Sequence, residues 1–128
     1  TLDLRNLHAD HLAQAEKNIR DYRAGLEKDG DLKITIRDLA RFAPTSFSEH
    51  VIGKVEAAAK SLNLPVRRMI SGAGHDAQMM APLCPTAMIF VPSVGGLSHN
   101  PKELTRDADL VAGADVLLQV VMDLLGAE

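Results

Sequence analysis

The chain has no tryptophan, and its aromatic residues are Tyr22, Phe42, Phe47 and Phe90 alone. Nothing in it offers a stacking platform for bases, and it has no basic surplus: 14 Lys plus Arg against 17 Asp plus Glu give a net charge of −3. That balance argues against a nucleic-acid partner, which a basic patch would attract. Cysteine is nearly absent as well. A single Cys84 excludes an internal disulfide framework and fits a reducing, cytoplasmic compartment. No apolar run approaches the roughly 20 residues that span a bilayer, because Val116 to Leu125 is interrupted by Gln119 and Asp123, so no membrane partner is expected. The chain opens on Thr-Leu-Asp and not on a basic stretch followed by an apolar one, which excludes a secretory leader as its first residues. The Leu2-Asp3-Leu4-Arg5 opening, without Met, reads as a strand already under way in something longer.

What is present is 128 residues, 46% of them hydrophobic, the size and composition of a globular domain. Alternation predicts strands at 1–6 and 32–37. Between them Leu12, Ala15, Ile19, Tyr22 and Leu26 give a helix one apolar face, with Asp10 as its N-cap and Gly30 as its stop. Residues 40–48 lose periodicity and read as a crossing segment. A helix is predicted over 49–62, capped by Ser48 and ended by Asn63 and Pro65. Val66 to Ile70 reads as a short strand, and 71–77 as a glycine-rich turn opening a short helix to about Ala81. The continuous apolar run 86–91 fits a strand buried on both faces. A loop follows over 92–101. The last helix, about 106–125, is apolar around most of its circumference, with one stripe at Leu110, Ala114, Leu117, Val121 and Leu124 and another at Val111, Leu118 and Leu125. The class is therefore α/β.

Two segments could carry chemistry. Gly72-Ala73-Gly74-His75-Asp76-Ala77 fits the letters of a dinucleotide fingerprint, but the acidic ribose partner expected about 20 residues on is missing, so that reading is rejected. Two readings stay open: a tight turn whose amides attract an anion beside His75, or a plain turn with a surface His. In Gly95-Gly96-Leu97-Ser98-His99-Asn100-Pro101-Lys102-Glu103, His99 lies on a glycine-freed loop after a buried run. There it is either a metal ligand or a merely exposed imidazole. Arg5 could fork onto a carboxylate, although the pattern alone favours an exposed strand charge pairing with Asp3 or with the neighbours of Arg37. His8, His11 and His50 look solvated. Cys84 reads as a small buried hydrophobe and Met69, Met79, Met80 and Met88 as core.

Together the stretches 71–77, 87–93 (Ala-Met-Ile-Phe-Val-Pro-Ser) and 95–103 resemble the C-terminal part of the amidase/hydantoinase/carbamoylase family of dinuclear metallohydrolases. That family includes N-carbamoyl-L-amino-acid hydrolases, allantoate amidohydrolase and β-ureidopropionase. The resemblance implies residues 1–42 as the second strand–helix–strand half of a ferredoxin-like lid and dimerisation domain, and 43–128 as the C-terminal part of the metal-binding catalytic α/β domain. It implies hydrolysis of linear amide or carbamoyl C–N bonds in a small molecule bearing a carboxylate and a ureido or amide group, two zinc or manganese ions, and a homodimer. Carried over by position, His99 is the metal ligand, and Arg5, His75, Gly95 and Gly96 contact substrate. Ser98 and Glu103 belong to the same motif as supports. The resemblance places the family's metal-binding His-x-Asp and Glu-Glu motifs upstream of this stretch: no Glu-Glu pair occurs here, and the His-x-Asp letters of His8-Ala9-Asp10 fall at the solvated start of the first helix, so no catalytic residue is assigned and the chain alone is expected to be inactive. The alternative is a non-catalytic module that binds small anions or dimerises.

Overall fold

The computed structural model describes residues 1–126. The chain divides into two compact units, Thr1–Ser46 and a second beginning at Phe47. The regular structure among the described residues is helical: α1 (Ala9–Asp29), α2 (Glu49–Ser61), α3 (Asp76–Met80) and α4 (Asp107–Leu124), with one 3-10 turn at Val94–Gly96.

In the first unit, α1 begins earlier than Asp10 predicts. The Asn6 side-chain oxygen accepts the His8 N–H at 2.9 Å, and the His8 carbonyl accepts the Leu12 N–H at 3.1 Å, so His8 is the cap. The helix ends at Gly30 as expected, but with φ −152°, an extended and not a left-handed stop. Leu12, Ala15 and Ile19 are half-buried, whereas Tyr22 and Leu26 are exposed; α1 contains no buried residue. What ties the following segment to the helix is polar. The Glu27 carboxylate accepts the Ile34 N–H at 2.7 Å while pairing with Arg23. Arg41 pairs with Glu16, and Arg20 with Asp38.

In the second unit, α2 is built as its sequence asks. The Ser48 hydroxyl caps the Val51 N–H, and the Ser48 N–H bonds the Thr86 carbonyl at 2.9 Å, anchoring the helix start to the apolar run 86–91. At the other end Asn63 takes φ +57°, its N–H bonds the Lys60 carbonyl and the Leu64 N–H bonds the Ala59 carbonyl. That pair of bonds is a Schellman ending, which needs a residue tolerant of the left-handed region. Leu64 then packs on the core. Arg68 reaches back to Glu49 and Glu56 of α2.

The core is small: Ala58 and Ala59 of α2 against Val116 and Val120 of α4, with Val55, Leu64 and Ile89 packed around them. Gly113 explains how α4 comes so close to the 86–91 run. A Cβ there would lie 2.5 Å from Cγ1 of Val91, far inside van der Waals contact.

Several sequence expectations need correction. The segments 1–6, 32–37, 66–70 and 86–91 carry no assigned strand. A strand exists only as part of a ladder, and no ladder forms among the described residues. The run 86–91 is half-buried, with Phe90 exposed, and not covered on both faces. On α4 the buried residues are Val116 and Val120, with Gly113 half-buried on the approach to Val91. Neither predicted stripe is the buried one; Leu110, Leu117 and Leu118 are exposed, and Leu125 is 75% exposed. A helix apolar on most sides does not declare a face by hydropathy, and the close approach at Gly113 selects it. Met69, Met79 and Met80 are exposed, since the core sits between α2 and α4 only. Cys84 is exposed too, in the turn that follows α3.

Candidate functional site

His75 is placed by the turn it closes. Its carbonyl accepts the Gln78 N–H at 2.9 Å, and its own ring Nδ1 accepts the Ala77 N–H at 3.0 Å, so the imidazole caps α3. A ring nitrogen that accepts is unprotonated. The neutral ring therefore carries its proton on Nε2, where it serves as a donor. Two amides of the glycine-rich turn are already engaged within it. The Ala77 amide is taken by His75, and the Ala73 amide is taken by the Ser71 hydroxyl at 3.3 Å.

The loop after the 86–91 run is held shut by three bonds. The Val94 N–H bonds the Leu104 carbonyl at 2.8 Å, the Gly96 N–H bonds the Ser93 carbonyl at 3.0 Å, and the Ser93 hydroxyl donates to the Leu97 carbonyl. Gly95 and Gly96 both take left-handed conformations, with φ +68° and +66°. Only glycine enters that region without steric cost. His99 enters it as well, with φ +55°; for a side-chain-bearing residue this costs about 1–2 kcal/mol. Its N–H is held by the Glu103 carboxylate at 2.8 Å. Within the same turn the Asn100 side chain accepts the Lys102 N–H at 2.9 Å, and the Asn100 carbonyl accepts the Glu103 N–H at 2.9 Å.

Arg5 belongs to the first unit and is exposed. Its guanidinium forks onto both oxygens of Asp3, its neighbour two residues away. The hydrogen bonds of this pair, reinforced by its charge, hold the Asp3 carboxyl below the usual range and raise Arg5. Arg5 is thus shown in a carboxylate-binding posture with a carboxylate of its own chain.

Among the described residues no hydrogen bond, ion pair or ring contact joins His75 to His99. The one ring pair found is His8 with His11, centroids 5.1 Å apart on the exposed start of α1. No helix among the described residues is long and apolar enough to cross a membrane. One feature escaped sequence reasoning: the capping of α3 by His75, signalled by a His placed directly before an Asp at a helix start. The pairing of exposed Arg5 with Asp3 is one that the pattern alone favours.

A sequence profile of Peptidase family M20/M25/M40 matches residues 6–123. The chain belongs to this family. It is 39% identical over 127 residues to an N-carbamoyl-L-amino acid amidohydrolase of Geobacillus stearothermophilus, covering 99% of this chain and 31% of that protein. It is 33% identical to an allantoate amidohydrolase of Escherichia coli K12, covering 97% of this chain and 30% of that one. Among solved structures, an amidase of the hydantoinase/carbamoylase family from Burkholderia multivorans superposes with a TM-score of 0.84 at 35% identity, over 93% of this chain and 29% of that one. The resemblance read from 71–77, 87–93 and 95–103 agrees with these matches. The chain spans about 30% of the length of the curated relatives it matches. Metal dependence is typical of the family. Its metal does not fit the residues described here by themselves, since no group of three or more His, Cys, Asp or Glu is placed to hold an ion.

Proposed function

We propose that this chain works as the C-terminal portion of a metal-dependent amidohydrolase that cleaves linear amide or carbamoyl C–N bonds, of the N-carbamoyl-L-amino-acid or allantoate type. The observation that carries the reading is the near-complete match of this chain to about 30% of two enzymes named for those reactions. In this reading His99 supplies one ligand to zinc or manganese. A catalytic ion of this kind needs about three protein ligands, so the chain by itself is inactive, and no step of the reaction is assigned to a residue within it.

The substrate contacts are those the family resemblance implies, and the local chemistry is compatible with them. The Nε2–H of His75 donates to a substrate oxygen, a role supported by the Nδ1 bond that fixes its tautomer. Arg5 exchanges Asp3 for the substrate carboxylate, since the fork already matches two carboxylate oxygens. Gly95 and Gly96 shape the pocket floor, where left-handed backbone without Cβ lets a ligand approach the main chain. Residues 1–42 act as the lid and dimerisation half of ferredoxin-like form, and 43–128 as part of the catalytic α/β domain. The 86–91 run takes its place in a sheet completed by the rest of the enzyme. The enzyme is a cytoplasmic homodimer.

The test is complementation. The isolated chain with Zn²⁺ or Mn²⁺ is expected to turn over neither N-carbamoyl-L-amino acids nor allantoate. Adding the complementary portion of the Geobacillus stearothermophilus relative should create turnover that His99→Ala abolishes. Turnover by the chain alone, or a reconstituted pair in which His99→Ala is fully active, overturns the reading.

A further inference from the structure

We propose that Glu103 is the positioning residue for His99: its carboxylate holds the His99 backbone left-handed and thereby sets the direction in which the imidazole leaves the loop. This rests on His99 being the ligand proposed above. Glu103 is the sole carboxylate between Pro92 and Arg106, and its sequence neighbours Lys102 and Arg106 offer cations. It nevertheless makes no ion pair among the described residues. Its oxygen is spent on the His99 N–H at 2.8 Å. The Glu103 N–H in turn bonds the Asn100 carbonyl, so the loop is closed in both directions across four residues, as a capping box closes a helix start. Pro101 has no N–H to compete, and the Lys102 N–H is occupied by the Asn100 side chain. His99 is the one side-chain-bearing residue of this loop at positive φ. Rotating it back to negative φ would swing its Cα–Cβ bond and re-aim the ring. A charge-assisted bond to the amide is the contact that opposes this rotation.

The experiment reads the loop without metal or substrate. In the 128-residue chain, amide exchange and the Cα chemical shift of His99 are followed by NMR, with the amides of α4 as internal reference. Glu103→Ala should speed His99 amide exchange by about tenfold or more and move its Cα shift out of the left-handed range, leaving α4 unchanged. Glu103→Asp, one methylene too short to reach, should do the same. Glu103→Gln, which keeps an acceptor oxygen at the same reach, should restore most of the protection. Unchanged His99 exchange and shift in Glu103→Ala and Glu103→Asp overturns the proposal. So does a Glu103→Gln variant that behaves like Glu103→Ala. Should His99 prove not to be a ligand, complementation fails while these readouts stand, so the two claims fall separately.

Discussion

The helices α1 and α4 are similar in length and opposite in how they are held. The 21 residues of α1 bury none of their side chains, and polar bonds from Glu16, Arg20, Glu27 and their partners tether the chain around it. The 18 residues of α4 make no ion pair among those described and are held through Val116 and Val120 against two alanines of α2. Exposed ion pairs contribute little each and are screened by salt, whereas a closely packed apolar contact resists both salt and pH. The second unit should therefore be the more persistent one, and the first the more responsive to solution conditions.

Breaking that contrast most severely means charging the small core. Val120→Asp places an unpaired carboxylate at a site only 4% exposed. It should cost about 3 kcal/mol or more and abolish exchange protection in α2 and α4. Tyr22→Asp on α1, an exposed position, should change stability by no more than about 0.5 kcal/mol. Urea titration of both variants checks the difference. Next in size is Gly113→Ala. Alanine favours a helix by roughly 1 kcal/mol, but its Cβ would meet Val91 at 2.5 Å. The clash should win, with a net loss of about 1–2 kcal/mol that Val91→Ala relieves in the double variant; a net gain would mean that α4 does not approach so closely.

Gly96→Ala isolates backbone from packing, since a Cβ there would meet nothing within 4 Å. With φ at +66° the substitution should still cost about 1 kcal/mol, measured as a lowered urea midpoint. The smallest effect lies in the first unit and carries a pH signature. The Glu27 carboxyl is held below its ordinary value first by the Ile34 N–H, with Arg23 adding to it. A depressed folded value means stabilisation that is present above the unfolded carboxyl range and lost as pH falls through the folded value. Acidification below pH about 4 should loosen residues around Ile34, and Glu27→Gln should flatten that response in amide exchange.

Helix positions were largely legible because capping is local chemistry: Ser48, Asn63 and Gly30 each mark a helix end within a residue or two. The strands were not, because alternation reports which side of a segment is apolar but not whether a ladder partner exists. The face of α4 was hidden for a related reason. With leucine or valine on nearly every side, hydropathy carries no direction, and only a glycine in mid-helix, Gly113, marked the side of close approach. In the candidate site the sequence named His75, His99, Gly95 and Gly96 because they sit in short glycine-rich motifs. It missed that His75 would spend its own Nδ1 on a cap, which is a side-chain orientation and not a residue type, whereas the pairing of Arg5 with Asp3 was legible from their spacing two residues apart.

The most direct test of the account is a graft. This chain replaces the matching segment of the Geobacillus stearothermophilus relative, and the purified chimera is assayed for N-carbamoyl-L-amino-acid hydrolysis and for bound metal, with and without His99→Ala. The account predicts a chimera that retains metal and activity and loses both on His99→Ala. A folded chimera that holds its metal equally well without the His99 imidazole would contradict it.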